Sequence, residues 1–159
     1  MSIDQQKNFM HEAIRLSIEN VQSRNGGPFG AVIVKNGEII AMGVNEVTKS
    51  NDPTAHAEII AIRNACKTLD SFQLDDCEIY CSCEPCPMCL GAIYWARPKA
   101  IYFANTKTDA AEINFDDNYI YQEMELLIHE RKLPTIQLLR DEAQSAFLQW
   151  QKSDKKIDY

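Results

Sequence analysis

The chain has 159 residues, 45% of them apolar and 25% charged, enough for one globular domain and unlike a disordered or fibrous chain. Sixteen Lys and Arg against 23 Asp and Glu leave a net charge of −7, poor equipment for gripping a phosphate backbone. No apolar run approaches the roughly 20 residues of a membrane span, and the opening MSIDQQKNFMHEAI lacks the basic and apolar segments of a secretory signal. The expectation is a cytoplasmic protein with no nucleic-acid or membrane partner.

Residues 5–22 carry Phe9, Met10, Ala13, Ile14, Ser17, Ile18 and Val21 at helical spacing, with Glu12, Arg15 and Glu19 opposite. After the breaker Asn25-Gly26-Gly27-Pro28, the runs AVIVK and EIIAMGV flank Asn36-Gly37, the strongest short-range hairpin signal. A second helix is expected from about Thr54 to Leu69, with Ile59, Ile62, Ala65, Cys66 and Leu69 inward. Cys77–Cys83 alternates like a strand, and Pro85-Cys86-Pro87 opens a third helix running to about Ala96. Ala100–Ala104 reads as a strand, 118–128 as a short helix, Thr135–Arg140 as a strand and Asp141–Lys152 as a terminal helix. Neither a repeat nor a linker divides the chain, so 1–159 reads as a single domain. Helices alternating with strands around one hairpin predict an α/β fold, three layers α/β/α, with a mixed sheet whose later connections are mostly parallel crossovers.

Four of the six cysteines fall in CSCEPCPMC, residues 81–89, and clustered cysteines without a secretory signal are more often metal ligands or catalytic thiols than cystines. His56-Ala57-Glu58 opens the second helix and Pro85-Cys86-Pro87-Met88-Cys89 the third. His56, Cys86 and Cys89 make three zinc ligands and leave a fourth tetrahedral position for water. The first turn of a helix can present both sulfurs of Cys-x-x-Cys to one ion, and its N-terminal dipole favours the thiolate. Two residues span about 200° of a regular helix, so His56 and Glu58 converge only if His56 is still entering the first turn. Glu58 is then a neighbour of the metal and a candidate proton shuttle rather than a fourth ligand. Such a set suits hydrolytic removal of an amino group from a heteroaromatic ring.

Other readings of these residues stay open. Cys83-x-x-Cys86-x-x-Cys89 also begins like an iron–sulfur run, although the expected Cys-Pro is missing. Cys81 or Cys83 would serve as fourth ligand of a closed structural zinc site, but His56-Ala57-Glu58 would then have no purpose. Cys66, Cys77 and Cys81 read as small buried apolar residues, while Cys83 lies close to the site with its role open. His11 and His129 read as surface residues.

His56-Ala57-Glu58 with Pro85-Cys86-Pro87-Met88-Cys89 resembles the two-part signature of the zinc nucleobase deaminases. GGPFGAVIVKNGEIIAMGVN, SNDPTAHAE, LDDC, SCEPCPMCLGAIYWARPKA and DAAEINFDD extend the likeness to the bacterial guanine deaminases over roughly residues 26–118, as does the terminal Asp158-Tyr159. That resemblance implies a cytidine deaminase-like, mostly parallel mixed sheet of five strands and one zinc per subunit. It also implies a homodimer that exchanges its 141–159 segments. The implied reaction is guanine plus water giving xanthine plus ammonia, with His56, Cys86 and Cys89 on zinc and Glu58 as catalytic proton carrier. Asn45 and Asp117 would hydrogen-bond the purine, Phe29 and Trp95 would line or stack on it, and Tyr159 would close the pocket. Guanine's adjacent N1–H and amino donors suit the Asp117 carboxylate, and an Asn side chain can both donate and accept. Plainer roles are a cap or turn for Asn45, a helix cap for Asp117, and core or dimer interface for Trp95. The alternatives are a cytosine or other aminoheterocycle deaminase, and a transfer-RNA adenosine deaminase, which the acidic balance disfavours.

Overall fold

Asn36 and Gly37 both adopt positive φ, 52° and 82°, the type I′ geometry that closes a two-residue hairpin. They join β1 (Gly30–Lys35) to β2 (Glu38–Val44), with Lys35 opposite Glu38 and an irregularity between Ile33 and Val34. The computed structural model describes residues 2–158, which fall into two units, 2–117 and 118–158.

The first unit begins with α1 (Ile3–Gln22), started by a capping box in which the Ser2 hydroxyl accepts the Gln5 N–H and the Gln5 side chain accepts the Ser2 N–H. After the hairpin come a single turn α2 (Val47–Ser50), then α3 (Ala57–Leu69), β3 (Cys77–Cys83), α4 (Pro87–Ala96), β4 (Ala100–Asn105) and α5 (Lys107–Glu112). The short helices α2 and α5 carry too few residues for periodicity to announce them. Strand order is β2-β1-β3-β4, with β1 antiparallel to both neighbours and β3 parallel to β4.

That sheet corrects the expected five mostly parallel strands to four strands among the described residues, with a single parallel pair. The α3 crossover does join two strands of the same direction, β2 and β3, but the hairpin partner β1 lies between them. The run 135–139 does not pair: Ile136 and Leu138 are 77% and 78% exposed and Leu139 has φ 52°. β-prone composition does not make a strand without a neighbour to accept its hydrogen bonds.

Helices cover both faces, as expected for three layers. On one, Ala13 of α1 packs with Val32, Val34 and Tyr80, and with the partly buried Phe9, Met10, Leu16, Ile39 and Tyr102. On the other, Ala57, Ala61, Ala65, Ile93 and Ala96 from α3 and α4 meet Ala31, Ile33, Ala41, Ile79 and Cys81. The buried line of α1 runs through Ala13, Ser17 and Asn20, leaving Ile18 and Val21 about half exposed. Small residues take the contact because Gly30 sits against the helix: a Cβ there would come within 2.5 Å of the Ala13 carbonyl oxygen. Gly43 does the same for α3, where a Cβ would meet the Ala57 oxygen at 2.2 Å. That close approach sets how far the start of α3 stands off the sheet.

The second unit holds α6 (Asn118–Glu125), a 3-10 turn (Ile128–Glu130) and α7 (Arg140–Lys152), none with a buried residue. Its internal ties include the Lys132 N–H donating to Glu123 Oε2 at 2.8 Å and the Lys132 ammonium 5.1 Å from the Tyr119 ring centroid. No described helix is long and apolar enough to cross a membrane.

Candidate metal centre

Two helix starts converge. His56 is the residue before α3, with extended backbone (φ −74°, ψ 156°), and Cys86 holds the same place before α4 (φ −64°, ψ 167°). β3 runs directly into the bend at Glu84-Pro85, which delivers Cys86 to that position, and Pro87 then occupies the first helical turn without forfeiting an intrahelical bond. His56 Nδ1 lies 3.6 Å from Cys86 Sγ and 3.5 Å from Cys89 Sγ, and the three donor atoms all lie within 4.8 Å of one another. Tetrahedral zinc with bonds near 2.3 Å to sulfur and 2.05 Å to nitrogen would set sulfur and nitrogen about 3.6 Å apart. The donor set therefore fits zinc in both chemistry and spacing.

Glu58 stands beside this cluster, not within it. Its carboxylate Oε2 is 3.4 Å from Cys89 Sγ, and the side chain is buried. Because His56 is still outside the helix, residues two apart do reach one point, which a regular turn would forbid. Burial pushes the Glu58 carboxyl above its usual range. The two sulfurs divide a proton unevenly. The hydrogen bond from Cys89, then the His56 contact, holds Cys86 at about 4, whereas its bond to Cys86 drives the Cys89 thiol upward. The Cys86 contact likewise raises His56. One ready thiolate at a helix N-terminus is the electrostatics that a cationic metal rewards.

The remaining cysteines are not ligands in this geometry. Cys77 and Cys81 are buried among apolar residues and Cys66 packs partly against them. The buried Cys83 thiol faces the Thr106 carbonyl at 3.6 Å, and burial raises it to about 11. All six cysteines are free.

Asn45 is buried at the end of β2, and its Oδ1 accepts the Gly27 N–H (3.2 Å) and the Val47 N–H (3.4 Å). Two backbone donors can be met only by the oxygen, so the amide cannot flip and Nδ2 is the group left for a ligand. Of the donor and acceptor that its chemistry offers, the acceptor is thus taken up by the backbone. Asn45 is also the turn residue that the plainer reading foresaw. Phe29 packs against the core and meets Phe115 edge-on, centroids 5.0 Å apart at 88°. Asp117 is half-buried; burial, then the charge of Cys86, raises its carboxyl, which places it within electrostatic reach of the metal cluster. Trp95 is 64% exposed on α4, six residues or about 9 Å of helix beyond Cys89. The structure therefore brings His56, Cys86, Cys89 and Glu58 together, sets Asp117 near them, and leaves Trp95 outside the cluster. Tyr159 lies outside the described residues.

Two participants escaped the sequence reading. Phe115, whose ring supports Phe29, lies within DAAEINFDD but received no role there. Asn20 is buried and its Nδ2 donates to the carbonyls of Gly27 (2.8 Å) and Asn45 (2.9 Å). Its signal was a polar residue on the buried side of α1, seven beyond Ala13 and three beyond Ser17.

A family model described as the cytidine and deoxycytidylate deaminase zinc-binding region matches residues 3–105. Guanine deaminase of Bacillus subtilis is 57% identical over 151 residues, covering 95% of this chain and 97% of that protein. A crystal structure of Bacillus subtilis guanine deaminase superposes with a TM-score of 0.95 at 55% identity, over 100% of this chain and 99% of the other. A transfer-RNA-specific adenosine deaminase of Aquifex aeolicus is 47% identical over 77 residues, 48% of this chain and 51% of that protein.

Proposed function

The chain belongs to the cytidine and deoxycytidylate deaminase zinc-binding family, and on that premise we propose that it deaminates guanine hydrolytically to xanthine and ammonia. The observation that carries the chemistry is the convergence of His56 Nδ1, Cys86 Sγ and Cys89 Sγ at two helix starts with the Glu58 carboxylate alongside. Zinc held by these three residues supplies the Lewis acidity that activates water near neutral pH. The atoms balance simply: the water oxygen bonds to C2 of guanine, the exocyclic C2–N bond breaks, and the amine departs as ammonia.

Glu58 carries the protons. It takes one from the water, gives it to a ring nitrogen beside C2, and returns the second to the departing amine. A carboxyl whose proton affinity burial has raised suits alternate uptake and release, and positioned transfer of this kind contributes about 10²–10⁴-fold. Around it, the Asn45 Nδ2 donates to an acceptor on the purine, and the Asp117 carboxylate accepts from N1–H and the adjacent amino group. Phe29, held by Phe115, covers the ring. Such polar partners decide substrate choice, because an analogue that leaves them unpaired is rejected by large factors.

The proposed assembly is a cytoplasmic homodimer, one zinc per protomer, in which exchange of residues 141–159 lets Tyr159 close a pocket and Trp95 join its wall. Two observations support it. α4 is apolar nearly all round, yet Tyr94 and Trp95 are 74% and 64% exposed. Leu133, Ile136, Leu138, Leu139 and Phe147 are 69–78% exposed, more apolar surface than a lone soluble chain usually shows.

The test is ammonia release by zinc-loaded protein from guanine, cytosine and adenosine-containing transfer RNA, side by side. Release from guanine alone is expected. Release from cytosine or RNA instead would keep the zinc ligands and Glu58 but overturn the purine contacts of Asn45 and Asp117.

A further inference from the structure

We propose that Asn20, on α1 and remote in sequence from every zinc ligand, is a positioning residue that aims Asn45 at guanine; this rests on the reading of Asn45 as a guanine-binding residue. Both N–H groups of the Asn20 amide are used, one on the Gly27 carbonyl at 2.8 Å and one on the Asn45 carbonyl at 2.9 Å. The Gly27 N–H in turn donates to Asn45 Oδ1 at 3.2 Å. A closed ring results: one side chain of α1 holds the backbone of Asn45 and the carbonyl of Gly27, the residue whose N–H bonds the Asn45 side chain. Asn20 is only 3% exposed and Asn45 only 6%, so the Asn45 carbonyl has no ready access to water as a substitute partner, while the half-buried Gly27 carbonyl also accepts the Phe29 N–H at 2.9 Å.

Two further observations tie this ring to the site. The ring fixes the oxygen of Asn45 and leaves its Nδ2 as the outward donor, so a shift of Gly27 would rotate that donor. Gly27 also packs against Phe29 and Phe115: a Cβ at Gly27 would meet their ring atoms at 3.2–3.3 Å. Displacing one turn therefore disturbs both the polar and the apolar partner of the purine. Gly26 shows how little slack exists, since a Cβ there would come within 2.0 Å of the Asn45 carbonyl oxygen. α1 thus does more than cover the sheet; through Asn20 it sets the geometry of substrate recognition from the opposite side of the Gly26-Gly27 turn.

The experiment is a double-mutant cycle on the zinc-loaded full chain, with Asn20→Ala, Asn45→Ala and the double variant, reading kcat and KM for guanine per bound zinc together with Tm. Asn20→Ala is expected to raise KM by on the order of tenfold with a smaller change in kcat and unchanged zinc content. On the Asn45→Ala background it should add little, because the group it aims is gone. An equal KM increase on both backgrounds would overturn the proposal, and so would a lowered Tm with KM unchanged, which is the mark of a packing role. If Asn45→Ala itself leaves KM unchanged, the substrate contact falls and the proposal with it, an outcome distinct from the other two. Should Asn20→Ala fail to fold, Asn20→Ser keeps one donor and should give an intermediate KM increase, and an unaltered KM there overturns the proposal.

Discussion

Residues 56–89 and residues 118–158 carry comparable numbers of apolar side chains and use them in opposite ways. In the first stretch Ala57, Ile59, Ala61, Ala65, Ile79, Cys81 and Cys89 are buried, and the helix starts they anchor hold three metal-ligand atoms within 4.8 Å. In the second no residue is buried, and Leu133, Ile136, Leu138 and Leu139 face outward. A preorganised metal centre needs side chains whose rotamers are locked by packing, which the first region supplies. The second offers apolar surface, the material of contacts with other surfaces. The contrast separates a buried centre from a segment whose apolar side chains remain on the surface.

The largest effect that would test this division is metal removal. Stripping zinc with a chelator should take ammonia release to background, with reloading restoring it, and turnover that survives verified metal depletion would break the comparison at its root. Next, Glu58→Gln should retain zinc by metal analysis while turnover falls about 10²–10⁴-fold. A folded but zinc-free variant would instead make Glu58 a ligand. Gly43→Ala should cost roughly 3 kcal/mol in denaturant unfolding, because its Cβ would overlap the Ala57 carbonyl oxygen and lift the start of α3 that carries His56. A neutral result would show that α3 can move off the sheet without strain. The smallest effect should come from the outward-facing region: trimming Asp158-Tyr159 is expected to lower kcat/KM for guanine by roughly tenfold with Tm unchanged. Equal guanine kinetics would remove Tyr159 from the proposed site.

The centre itself was legible because its determinants are local. His56-Ala57-Glu58 and Cys86-Pro87-Met88-Cys89 each sit within one turn of a helix start, and the rules for such starts operate over three or four residues. The Asn36-Gly37 hairpin was legible for the same reason, since two positive φ angles need only two suitable residues. Even the placement of Glu58 followed from counting degrees along the first turn. Asn45 was singled out through resemblance, but the engagement of its oxygen was hidden, since that depends on which backbone amides approach it.

By itself, then, the sequence determined the ligand types, their spacing, the helices that carry them and the acidic net charge, all properties of short stretches or of sums over the chain. Only the tertiary structure decided that β1 lies between β2 and β3, that 135–139 finds no strand partner, and that Asn20 closes a ring with Gly27 and Asn45. The β1–β3 pairs join residues 42 to 50 positions apart, and the bonds of Asn20 and Gly27 to Asn45 join residues 25 and 18 apart. Such pairings are settled by which surfaces bury one another, a property that no short window of residues contains.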